Sequence, residues 1–299
     1  MSRARSNFFA TIEEMLALAG DSLLVDVLPS RDSHNNRARI LRSGLVVSAF
    51  SHLESYIFDR FTEILQRLPT SQVRYNSFKD TLKILLCVSA VRGLARKVGF
   101  MDDADALNFV EQELPSLTGF AGSPPIYSSL GAVPRGTNMT EKDIQSLLKA
   151  FGVQQVWPKI SNICSQLGAS RISIKSDFGN LYDARNLCAH DSTSNIPTAD
   201  LQTHLQTALL VGMAFDLAMS HAVYSYIRCA HAARAERAAK GMNFRVRFLD
   251  EMPSGAYREH QGQRTLRTYP SLEDALRSPT RPLLGFVVRD ERRLHKALA

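Results

Sequence analysis

Residues 40–68, ILRSGLVVSAFSHLESYIFDRFTEILQRL, decide the reading of the fold. Leu41, Leu45, Ala49, Leu53, Ile57, Phe61, Ile64 and Leu65 recur there at close to the 3.6-residue period of an α-helix. Pro69 cannot continue the pattern and marks its end. A long helix with one apolar stripe needs other helices to cover it, so a helical bundle is expected.

Working outward, a second helix is predicted over about Ser77 to Val98, where Phe78, Leu82, Leu85, Leu86, Val88 and Leu94 are the apolar positions. A shorter one follows over Asp103 to Glu113. The segment Gly119 to Gly136 holds GSPP, a Ser pair and Pro134, and cannot be regular helix. It is expected to be an exposed insertion lying over a cleft. Thr140, with Asp143 three residues on, resembles a capping box and opens a helix to about Phe151. Another helix is expected from Ser176 or Asp177 to His190, then the turn DSTSNIP, then a long helix from Thr198 to about Lys240. The end of that helix, AHAARAERAAK, is Ala-rich with a charged face and is expected to project beyond the packed core.

After Gly241 the texture changes. FRVRFL alternates apolar and polar residues as a strand does, and RTLRTYP reads the same way. SLEDALRS reads as a short helix capped by Ser271, and PLLGFVVRD as a third strand. The expected fold is therefore mainly α: an antiparallel helical bundle over residues 1–240, with a loop insertion near 119–136, and a small α+β module over 241–299.

The module is basic. The chain carries a net charge of +7, and residues 228–299 hold 15 Lys and Arg against 8 Asp and Glu. The remaining 21 of each sign leave residues 1–227 neutral. A basic end on a neutral body points to a polyanion or to a solvated face. Arg245, Arg247, Arg264 and Arg267, on the strand candidates, are the residues that would track phosphates. No aromatic signature for base reading accompanies them.

Other classes are disfavoured. No run of eighteen apolar residues occurs, and Asp216 and His221 interrupt the most apolar stretch, Leu205 to Val223, so no membrane partner is expected. The start, MSRARSNFFATIEEM, carries acids where a secretory signal needs an apolar run, and the expected location is cytoplasmic. Cys87, Cys164, Cys188 and Cys229 are scattered without a C-x-x-C pair, so neither a zinc knuckle nor a disulfide framework is expected. His52, His204, His221 and His231 lack ligand-like spacing and read as structural.

Chemistry concentrates in YDARNLCAHD, residues 182–191. On a helix Asn186 and His190 share a face, with Arg185 at its margin. The three span an arc of about 140°, too broad for one closed pocket but suited to a helix facing a two-fold axis. A lone Arg or His near a helix end otherwise caps carbonyls or pairs with an acid.

RNLCAH resembles the signature of the HEPN family: Arg, a polar residue, then His four to six positions beyond the Arg. Its setting, between a short helix and a Pro-containing turn that leads into a long apolar helix, strengthens the likeness. SGLVVSAFSHLESYIFDRF resembles the family's opening helix, with an embedded acid, here Glu54. The resemblance covers about Arg37 to Tyr226 and is nearest to the ribonuclease-like proteins of bacterial toxin and phage-defence loci. It implies a homodimer acting on RNA, with Arg185, Asn186 and His190 as catalytic residues. Glu54, Tyr182, Asp183 and Asp191 are candidates for support, Glu54 either beside Arg185 or as a surface acid paired with Arg60. Relatives often carry Gly after the His; Asp191 stands there instead, either capping less well or orienting His190.

With no carboxylate cluster for a two-metal nuclease in the sequence, a metal-independent endoribonuclease without cofactors is expected. Histidine can act as base and acid, and arginine can neutralise the phosphorane oxygens. The resemblance also implies an antitoxin or regulatory partner. Two alternatives are a non-catalytic HEPN dimer that binds nucleic acid or a partner protein, and a nucleotide sensor that uses Arg185 to hold a phosphate.

Overall fold

Helix α2 runs from Asp32 to Leu65, with Ala49, Leu53, Ile57, Phe61, Ile64 and Leu65 buried along one stripe. Leu41, in the same period, is 48% exposed, because the buried stripe in the first turns of α2 runs through Ala38, Arg42 and Val46 instead. The computed structural model describes residues 2–28, 31–122, 124–134, 136–240, 246–277, 286–290 and 293–298. Within them the chain is mainly helical, with a small sheet near its C-terminal end.

Three other helices cover the stripe: α1 (Arg3–Leu18), α8 (Ile174–His190) and α9 (Thr198–Arg228). Helix α9 is long and apolar enough to cross a membrane, but 83% of its most apolar window is buried inside the fold. Asp216, near its middle, is the charge that its sequence pattern had to accommodate. Arg5 Nε donates to Asp216 Oδ2 at 2.5 Å, and Arg60 Nε donates to Oδ1 at 2.6 Å. Arg60 also reaches Glu63 at 3.0 Å and Ser220 at 2.9 Å. Glu63 in turn accepts from Ser2 Oγ at 2.5 Å and Ala4 N at 3.0 Å, fixing the start of α1. One carboxylate thus ties α1, α2 and α9 together.

The helical stretch expected over Ser77–Val98 is α3 (Asp80–Lys83), a π-helical turn (Ile84–Ser89) and α4 (Ala90–Val98). Helix α5 extends to Thr118 through Pro115, past the expected end at Glu113. The following segment departs from the expected exposed insertion. Tyr127, Ser128, Leu130, Ala132, Asn138 and Met139 are buried, and a 3₁₀ turn at Ser129–Ala132 lies against the π turn. The reason is two glycines. A Cβ on Gly131 would sit 2.3 Å from Leu85 O, and one on Gly93 would sit 2.1 Å from Leu130 O. Only bare backbone at both positions permits this approach.

The capping box at Thr140 and Asp143 forms as expected and opens α6 (Glu141–Ala150). Helix α7 (Val156–Gln166) follows. The projecting end expected of the last long helix is not found. Cys229 is extended at φ −97° and ψ 134°, and α10 (Ala232–Lys240) buries Ala232, Ala235, Glu236 and Ala239 against the core. Its alanines form a flat face that packs closely, while Lys79 pairs with the buried Glu236.

The C-terminal module contains β1 (Arg247–Glu251), β2 (Tyr257–Gln261), β3 (Arg264–Tyr269), α11 (Leu272–Arg277), β4 (Phe286–Asp290) and β5 (Arg293–Leu298). Strand order is β3-β2-β1-β4-β5, parallel only between β1 and β4. Ser271 caps α11 by accepting from Asp274 N at 3.1 Å. Phe248 joins the main core, and Val246 N donates to Gln166 Oε1 at 2.8 Å.

Burial alone would raise the pKa of the Asp216 carboxyl, yet Arg5 and Arg60 overcome this and hold it well below the usual carboxylate range. Its ionisation therefore stabilises the fold fully above about pH 4, the unfolded value, and that stabilisation is lost as pH falls toward the folded value. Asp216→Ala leaves two buried guanidiniums unpaired and should cost about 3–5 kcal/mol in urea unfolding at neutral pH. A loss below about 1 kcal/mol would contradict the central role given to this carboxylate.

Candidate functional site

Helix α8 presents the candidate site because its other face is locked in place. Ser173 caps it, accepting from Ser176 N at 3.2 Å, and Ile174, Phe178 and Leu181 are buried. Phe178 meets Phe50 and Trp157 with ring centroids 6.0 and 5.7 Å apart. Tyr182 packs edge-on against Phe50 at 5.8 Å, so this candidate supports the helix by packing. The turn after α8 is tied to α2. Arg42, 1% exposed, donates to Leu24 O at 2.6 Å and to Asn195 Oδ1 at 2.8 Å, while Arg39 donates to the carbonyls of Ser192 and Ser194.

On the exposed side, Arg185 Nη1 donates to Asn186 Oδ1 at 3.1 Å. Asn138 Nδ2 donates to the same oxygen at 3.2 Å. Two donors on one oxygen fix the carboxamide and turn its NH₂ group away from them. Arg185 Nε is buried and has no acceptor among the described residues. Leaving such a donor unmet is costly, so buried polar groups are generally met by protein, water, an ion or a ligand. Arg5 Nη1 and Arg42 Nε are in the same position.

Glu54 completes the cluster. Its carboxylate accepts from Met139 N. Burial, reinforced by Asp143, raises its pKa, while the Met139 N–H and the Arg185 charge pull it back. Glu54 is therefore electrostatically coupled to Arg185. Its alternative partner, Arg60, is committed to Asp216 and Glu63.

His190, at the last position of α8, is exposed and makes no hydrogen bond among the described residues. Asp191 makes no hydrogen bond to His190. Its backbone is extended, at φ −119° and ψ 104°, so nothing there calls for glycine. Its carboxylate accepts from Thr193 Oγ1 at 2.6 Å and Thr193 N at 2.8 Å, which lowers its pKa. Asp183 is exposed and forms no ion pair among the described residues.

Arg247 pairs at 2.9 Å with the fully buried Glu259, which also accepts from Tyr269 Oη at 2.9 Å. Arg264 and Arg267 are exposed on β3, and Arg245 lies outside the described residues. His204 and His221, read as structural, are buried and half-buried in turn, and burial lowers both their pKa values. Burial pushes the Cys164 thiol up to about 12.

Sequence reasoning missed Asn138 and Met139. The only signal there, Asn138-Met139-Thr140, has the form of a glycosylation sequon and hides a clamp that closes on Asn186 and Glu54. No protein-family model, curated protein or solved structure matches the chain.

Because Arg185 lowers the Glu54 pKa, Arg185→Ala should move that carboxyl's titration to higher pH, by carbon-detected NMR of the side chain. A titration that stays in place would show that the two groups do not interact.

Proposed function

We propose that the protein is a metal-independent endoribonuclease of the HEPN type, working as a homodimer in RNA-targeting toxicity or antiviral defence. The observation that carries the reading is Arg185, which is tethered to Asn186, coupled to Glu54, and keeps a buried Nε without an acceptor among the described residues. His190 follows on the same helix, exposed to solvent. A phosphate oxygen is the acceptor that such a guanidinium lacks.

In the proposed reaction the ribose 2′-oxygen loses its proton to one His190 imidazole and attacks the adjacent phosphorus. The bond to the 5′-oxygen breaks, and that oxygen takes a proton from the symmetry-related imidazole. The products are a 2′,3′-cyclic phosphate and a free 5′-hydroxyl. Arg185 neutralises the charge on the phosphorane, and the Asn186 NH₂ donates to the same phosphate.

A dimer is favoured by the surface beside the site. A groove between α2 and α8 is lined by Ile40, Gly44, Val47, Cys188 and Ala189. Ile40, Leu41 and Leu187 are exposed at 56%, 48% and 49%. Two-fold packing of this apolar face brings two α8 ends together, which the broad arc of Arg185, Asn186 and His190 requires.

Purified protein incubated with total and transfer RNA in EDTA should yield fragments ending in cyclic phosphate. Arg185→Ala and His190→Ala should each slow cleavage at least about 100-fold while leaving the dimer intact. Cleavage at the wild-type rate by both variants would end the proposal. The exposed pair Ile40→Asp and Leu187→Asp should give a folded monomer in sedimentation and remove cleavage; an active monomer would refute the composite site.

A further inference from the structure

A second cavity opens at the other end of the segment that clamps Asn186 and Glu54. It encloses about 190 Å³ between α4, the 3₁₀ turn at Ser129–Ala132 and α6. Arg92 and Arg96 line it from α4, with Ser89 above them and Ser146 opposite on α6. Arg92 and Arg96 are one helical turn apart and share a face. Neither makes an ion pair or hydrogen bond among the described residues. Like charges at this spacing disfavour the helix, so an anion between them would relieve the strain.

The walls are built rather than incidental. Gly93 and Gly131 line the cavity, and their close backbone contacts fix α4 and the π-helical turn against the 3₁₀ turn. Ser89 ends the π-helical turn, a local widening that occurs frequently at functional sites. Asp143 also lines the cavity, but its Oδ2 accepts from Thr140 N at 2.9 Å and Thr140 Oγ1 at 2.6 Å. It forms no ion pair with either arginine. Two guanidiniums against one committed carboxylate leave a single positive charge, which matches a phosphodiester better than a nucleoside triphosphate. The serine hydroxyls can donate to its oxygens.

The cavity and the α8 cluster are linked through residues 139–143. Met139 N meets Glu54, Thr140 and Asp143 close the capping box, and Asp143 and Arg185 both act on Glu54. We propose that Arg92 and Arg96 hold a phosphodiester of the same RNA strand whose cleaved bond lies at Arg185. The inference rests on the ribonuclease reading above for its ligand, though not for the anion site itself.

The test is fluorescence anisotropy with a labelled 2′-O-methyl oligonucleotide, which binds but cannot be cut, over a series of salt concentrations. The double variant R92A/R96A should bind about tenfold more weakly than wild type and flatten the logarithmic salt slope by about 0.7, the increment of one single-strand phosphate. Arg92 is exposed and Arg96 half-buried, and alanine favours helix, so circular dichroism melting should match wild type. Unchanged affinity and slope in R92A/R96A would overturn the inference. Loss of binding in R92A/R96A, with no RNA cleavage by wild type, would uphold the subsite and remove the nuclease. Normal cleavage with unchanged binding would do the reverse.

Discussion

The fold depends on one carboxylate between two guanidiniums. Asp216 sits 1% exposed in the middle of α9, held by Arg5 of α1 and Arg60 of α2. A buried ion pair is a poor source of stability compared with apolar packing, but it is strict about geometry. Helices that bury only aliphatic faces can slide by a turn at modest cost. A charge whose two oxygens are each taken by a different helix cannot. The apolar stripe of α2 therefore meets α9 in one register, and α8 inherits its position from both.

Much of this arrangement was legible from residue spacing. The α2 stripe, the capping box at Thr140 and Asp143, the Ser271 cap and the alternation in FRVRFL are local signals, each readable within a few residues. The burial of Tyr127, Ser128, Leu130 and Ala132 was not legible. The Gly, Pro and Ser content of their segment reads as loop, and the reason they are buried is a long-range contact between Gly131 and Leu85. The α10 alanines misled in a related way. Alanine favours helix anywhere, and only the break at Cys229 turns the face inward. Helix α1 escaped notice because its polarity, including Arg5, is satisfied by a partner more than two hundred residues away.

The same distinction applies to the site. RNLCAH drew attention to Arg185, Asn186 and His190, and the proximity of Glu54 to Arg185 followed from one helix facing another. The clamp by Asn138 and Met139 comes from a segment whose sequence resembles nothing catalytic. Its role emerges only when the chain brings it back over α8. Residues that orient a functional group through backbone amides leave little trace in composition, since any residue but proline supplies an N–H.

The bulge on β3 has a consequence for the behaviour of the protein in concentrated solution. β3 is the outermost strand on its side of the sheet, and its pairing with β2 shifts register between Glu259 and His260. The shift places Arg264 and Arg267 opposite Gln261 and Glu259, on one face of the strand. An open strand edge is a template on which a second chain can add its own strand, the first step toward fibrous aggregates. A kink that breaks the flat edge, flanked by two exposed arginines, makes that addition unfavourable. The two arginines thus guard the sheet against self-assembly whether or not they ever meet a phosphate.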